Sequence, residues 1–142
     1  MYDLRDLVAV GKSVKVVHTV TETDTATKYS KGLEELMSTP AMIMLAIQAS
    51  AKAVDGFLPE GFISIGRAIE FEHTASTRRG MHITVEATVS EVQPLMITLD
   101  IHAFDDVGEI GFGRHRRSIV IVDKLIERSK KREAMTLNTR PL

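Results

Sequence analysis

Residues 38–56 read Ser-Thr-Pro-Ala-Met-Ile-Met-Leu-Ala-Ile-Gln-Ala-Ser-Ala-Lys-Ala-Val-Asp-Gly, and they constrain the fold more than any other stretch. Ser38 or Thr39 can cap a helix whose first turn holds Pro40, where a missing N–H costs nothing. Gly56 can take the left-handed conformation that closes the far end. From Ala41 to Val54 only Gln48, Ser50 and Lys52 are polar. A helix that is apolar on nearly every side has to be wrapped by other elements. It is too short for a bilayer, which needs about 20 apolar residues.

The rest of the chain supplies a wrapper. Ser13–Val20 alternates in part and predicts a first strand. The Thr-rich run Thr21–Thr27 has no clear period, and Tyr29–Met37 reads as a loop. After the turn Phe57-Leu58-Pro59-Glu60-Gly61, Phe62–Glu72 alternates with Ile63, Ile65, Arg67, Ile69 and Phe71 on one face. Met81–Val89 is the cleanest strand. Leu95–Ala103 follows the break at Gln93-Pro94, and Asp105–Gly108 turns into a long strand, Glu109–Val122. Asp123 can cap a short charged helix, and Ala134–Leu142 reads as a frayed tail. One strand, one buried helix and then four strands predict an α+β hot-dog fold, an antiparallel sheet wrapped around one central helix. The expectation is a single domain over 1–142, with a core at about 13–122. Open sheet edges and an uncovered helix side predict a homodimer, with pairing of dimers into a tetramer left open.

Composition narrows the function. With 18 basic and 19 acidic residues, the chain lacks the basic excess of a nucleic-acid binder. There is no cysteine, so disulfides, thiol nucleophiles and thiolate metal sites are excluded. His18, His73, His82, His102 and His115 are scattered without metal-ligand spacing. No metal, no other cofactor, no membrane partner and a cytoplasmic location are expected.

Ser38–Met42 opening the helix, Leu58-Pro59-Glu60-Gly61, Gly66, His73–Thr77, Gly80-Met81, Ile110–Gly113 and His115-Arg116-Arg117 together resemble the hot-dog thioesterases of the fluoroacetyl-CoA thioesterase type. The likeness runs from about Thr19 to Val122. It implies a dimer that hydrolyses acyl-CoA thioesters without a metal, coenzyme A entering as part of the substrate. Position by position, it implies Thr39 and His73 as catalytic residues, with Gly66 beside the thioester and Arg117 as a functional arginine on the last strand. The family's glutamate, eight positions after the threonine, falls on Ile47. Gln48 next to it lies about 100° away around the helix.

Thioester hydrolysis needs an attacking oxygen, a base and donors for the oxyanion. The helix start at Thr39–Met42 is expected to offer free N–H groups. His73 is the expected base, with Thr39 as nucleophile or water anchor. Each residue also has a plainer reading: Thr39 as an N-cap, His73 as a satisfied polar residue and Gly66 as a bulge. Met42, Met44 and Ile47 are expected at an apolar acyl pocket. Gln48 is expected to be a buried amide needing partners, at a dimer interface more than at substrate. Along Arg114–Arg117, Arg114 and Arg116 share one face and His115 and Arg117 the other, so the four cannot meet one phosphate. Glu34, Glu35 and Glu72 are the candidates for a displaced carboxylate. The expected function is hydrolysis of a small or medium acyl-CoA. The alternative is a non-catalytic acyl-CoA or small-ligand binding protein that has lost the carboxylate at position 47.

Overall fold

The computed structural model describes residues 3–139. A four-residue helix α1 (Leu4–Leu7) and strand β1 (Ser13–Thr19) lead through two 3₁₀ turns, Glu22–Asp24 and Ala26–Lys28, to the central helix α2 (Thr39–Val54). Strands β2 (Phe62–His73), β3 (His82–Gln93), β4 (Met96–Phe104) and β5 (Glu109–Ile121) follow, and helix α3 (Val122–Thr139) ends the described chain. The five strands form one antiparallel sheet in the order β1-β3-β4-β5-β2. Its concave face carries α2. Ile83, Val85, Ala87 and Val89 of β3 and Ile97, Leu99, Ile101 and Ala103 of β4 meet Met42, Leu45, Ala46, Ala49 and Ala53 of the helix in one core. The strict alternation of β3 and β4 is the cause: one face of each strand is wholly buried.

Four expectations change. The sheet wraps only one side of α2: Met44 is 62% exposed and Ile47 36%. Gly56 does not close the helix in a left-handed conformation. The chain passes instead through a 3₁₀ turn at Asp55–Phe57, and Gly61 takes the positive φ of 87°. Strand β2 does not keep one apolar face. Gly66 pairs with Arg117 but Ala68 pairs with Arg116, so Arg67 is an inserted bulge residue. Before the bulge Ser64 and Gly66 face inward; after it Ile69 and Phe71 do. Ile63 and Ile65 therefore lie on the opposite face from Ile69. Finally, α3 begins at Val122, so Asp123 sits inside its first turn, and the helix continues through Ala134–Thr139. Residues 140–142 of the expected tail lie outside the described residues. Among the described residues no helix is long and apolar enough to cross a membrane.

Candidate active site

The start of α2 divides two polar tasks between adjacent residues. Ser38 is the N-cap, its hydroxyl oxygen accepting from the Ala41 N–H at 3.2 Å. Thr39 is thus released from capping, and its Oγ1 lies 2.9 Å from Nδ1 of His73. His73 is the last residue of β2, facing inward because the bulge at Arg67 resets the parity of the strand. Its Nε2 is buried with no hydrogen-bond partner, alone in this among the buried side-chain nitrogens and oxygens of the described residues. Burial holds the imidazole below its ordinary pKa, against the smaller, opposing effect of the Ala75 backbone. The pair opens on a cavity of about 350 Å³ whose walls include Tyr29, Leu33, Leu36, Met37 and Pro40.

The expected row of free N–H groups is shorter than anticipated. Ser38 takes the Ala41 N–H through its side chain and the Met42 N–H through its carbonyl (3.2 Å), and Pro40 has none. Thr39 supplies the remaining first-turn N–H.

Gly66 and Arg117 form a second cluster. They pair across β2 and β5. Arg117 is 5% exposed. Its Nε–H donates to Ser64 Oγ at 2.7 Å and its Nη2–H to Ser64 O at 2.8 Å. Ser64 Oγ in turn donates to Asp55 Oδ1 at 2.6 Å. His115 Nδ1–H donates to the Ala68 carbonyl at 2.9 Å, leaving Nε2 to accept from Arg117 Nη1 at 3.1 Å. A Cβ at position 66 would come within 3.2 Å of His115 Cε1, so Gly66 is both beside a bulge and a place where a side chain approaches the backbone. Arg114 and Arg116 are exposed on the other face, as alternation requires. The sequence did not reveal Asp55 and Ser64 as partners; the signal available was an arginine on the same strand face as buried residues.

Gly66 and His73 are seven positions apart along the bulged β2, about 20 Å of strand. One chain therefore joins Thr39 to His73 and Gly66 to Arg117, and keeps the two pairs apart. Met42 is fully buried in the core, not open to a pocket. Gln48 is exposed rather than buried, lining a different cavity on the β1 side of α2, so its amide does not demand a protein partner. Glu34 accepts from the Gly32 N–H, and Glu35 and Glu72 are exposed. None of these carboxylates bonds His73. His82 and His102, on neighbouring strands, turn to Asp106 and Glu109 respectively. Among the described residues no group of three or more His, Cys, Asp or Glu is placed to hold a metal ion.

Comparison with known proteins decides the family. The model of the fluoroacetyl-CoA-specific thioesterases matches residues 20–123. The chain belongs to the fluoroacetyl-CoA-specific thioesterase family. A member of this family, the fluoroacetyl-CoA thioesterase of Streptantibioticus cattleyicolor, is 34% identical over 90 residues, which are 63% of this chain and 65% of that one. The match thus spans a little under two thirds of that relative's length. Among solved structures, a hot-dog-like protein from Thermanaerovibrio acidaminovorans superposes with a TM-score of 0.88 at 34% identity, covering 92% of this chain and 97% of the other. A variant of the fluoroacetyl-CoA-specific thioesterase FlK in complex with acetyl-CoA gives 0.79 at 27% identity, over 88% of this chain and 98% of that one. The hot-dog fold expected of the family is the fold observed.

Proposed function

We propose that this protein hydrolyses the thioester of a small or medium acyl-CoA, without a metal, as a homodimer in the cytoplasm. The observation that carries the reading is the Thr39–His73 pair, 2.9 Å apart at the start of α2, in a member of a thioesterase family. A buried nitrogen without a partner costs about 1–3 kcal/mol, and Nε2 of His73 is such an atom. A bound substrate or water offers it a partner. The neutral imidazole that burial favours can accept the Thr39 hydroxyl proton, or hold a water against the carbonyl carbon while Thr39 anchors it. The Thr39 N–H and the positive end of α2 then face the developing oxyanion. The cavity walls are mainly apolar, which favours an aliphatic or aromatic acyl group over a charged one. Coenzyme A enters as part of the substrate.

A second copy of the chain fits two unpaired features, the outer edge of β2 and the open face of α2. It also offers a way to bring Gly66 and Arg117 of one protomer toward a site that one chain leaves divided.

Ile47 favours a second reading, an acyl-CoA binder that does not turn over. Following free CoA thiol with a panel of acyl-CoAs separates the two. Turnover that Thr39→Ala and His73→Ala each lower by about 100-fold or more supports the hydrolase. Tight binding without thiol release supports the binder, and turnover indifferent to His73→Ala rules out the assignment of that residue.

A further inference from the structure

His82 and His102 meet carboxylates on the exposed face of the sheet, but of the histidines that face α2, namely His18, His73 and His115, His18 is the one bonded to a carboxylate. β1 turns Val14, Val16 and His18 toward the concave face, and His18 lies across from Ile83 of β3. Its Nε2–H donates to Asp24 Oδ2 at 2.7 Å. Asp24 is the last residue of the 3₁₀ turn Glu22–Asp24, and the same oxygen accepts the Thr21 N–H at 2.7 Å and the Thr21 hydroxyl at 2.9 Å. The carboxylate is thereby fixed in place, while the Asp24 carbonyl accepts from the Ser38 N–H at 2.8 Å and ties the turn to the start of α2.

With Nε2 committed to Asp24, Nδ1 is the ring nitrogen left for a proton, and the His18 side chain keeps 33% of its exposure. The pair lines a cavity of about 450 Å³ with Lys28, Tyr29, Met44 and Gln48. Ser38, Pro40 and Tyr29 line both this cavity and that of Thr39 and His73. The two histidines thus flank the first turn of α2 from opposite edges of the sheet.

Resting on the thioesterase reading, we propose that His18, held by Asp24, is the general base for the hydrolytic water, a carboxylate-supported base where His73 has none, and that His73 and Thr39 hold the water and the carbonyl in place. Water attacks the thioester carbonyl carbon and passes a proton to His18 Nδ1. The C–S bond breaks and the imidazolium returns that proton to the coenzyme A thiolate. The second proton of water leaves to solvent as the product acid ionises, and Asp24 stays ionised throughout. Burial alone would raise the Asp24 carboxyl, but the Thr21 and His18 hydrogen bonds outweigh it and keep the group below its ordinary value. The other titratable groups facing this cavity are Lys28, which ends the second 3₁₀ turn, and Tyr29 just after it; α2 and β3 present uncharged side chains.

The test is His18→Gln, whose amide N–H keeps the bond to Asp24 but has no basic nitrogen. Steady-state hydrolysis is followed from pH 5 to 9, with Tm on the same samples. The expected result is a kcat lower by about 100-fold or more, loss of the acid limb of the kcat profile, and an unchanged Tm. Wild-type kcat with the acid limb intact overturns the role of His18 and leaves the thioesterase standing. A loss in which Tm falls and the limb persists means a structural pin, and also overturns it. If the wild-type protein releases no thiol from any acyl-CoA, the thioesterase reading falls and the base assignment falls with it.

Discussion

Arg117 is a charge placed where a charge is costly, and its surroundings explain how it is tolerated. Ser64 accepts twice, His115 once, and Asp55 stands one hydrogen bond behind Ser64. Removing the guanidinium leaves Ser64 and His115 buried without their donor and opens a hole beside Gly66. Arg117→Ala is therefore expected to cost about 3 kcal/mol, read from urea unfolding. A loss of activity with no loss of stability would instead make Arg117 purely a substrate residue. The same network sets a pH response. Burial holds His115 below the ordinary imidazole pKa; the Ala68 carbonyl opposes this and the Arg117 charge adds to it. His73 is shifted in the same direction by burial. The folded chain then binds fewer protons than the unfolded chain as pH falls below about 6.5. Stability is full above that value and is lost as pH drops through it toward the lower folded values. Tm should fall between pH 7 and pH 5, and fall less in a His115→Gln, His73→Gln variant. An equal fall in that variant would mean that other groups carry it.

At the scale of elements, the start of α2 separates the helix cap from the proposed catalytic pair. Ser38 caps and Thr39 meets His73, so Ser38→Ala should lower stability by about 1 kcal/mol and leave kcat close to wild type. A collapse of kcat with little change in Tm would show that the hydroxyl of Ser38 is itself in the reaction. Much of this architecture was legible beforehand. The alternation of β3 and β4, the Asp105–Gly108 hairpin and the Pro40 helix start are local signals, and each produced the element it predicts. The pairing of Thr39 with His73 came from a likeness among motifs, since no local rule brings residues 34 apart in sequence together. A bulge was legible at Gly66 as one of two readings of a glycine inside a strand pattern, and the register shift lies beside it, at Arg67. Its consequence was not legible: the sequence still alternates past it, so the exchange of faces between Ile63 and Ile69 leaves no mark. The distributed N–H groups of the first turn were overestimated because a capping side chain also consumes donors. The Thr-rich run 21–27 looked featureless because its order rests on side-chain bonds that have no period: Thr21 to Thr23 and Asp24, and Thr25 to the Glu22 carbonyl and Thr27.

For the whole molecule, the question is what covers the outer face of α2. A helix with Met44 and Ile47 open to water is uncommon in a finished core. The nearby twelve-residue β2 is also an unpaired edge, and a strand that long invites a partner. β1, the other edge, alternates Ser13 and Lys15 outward and is shorter, so it is the poorer template for pairing. The proposed homodimer would bury the open face of α2, which carries Met44 and Ile47, and the free edge of β2. Met44→Asp should put a charge in that surface and convert a dimer to a monomer in sedimentation velocity at micromolar concentration. Val17→Lys, on the β1 edge, should leave the dimer intact. Activity should fall with dimer content in the first variant if each site draws residues from both protomers. A wild-type protein that sediments as a monomer across the same range, or a dimer that Met44→Asp leaves unchanged, would place the interface elsewhere or remove it.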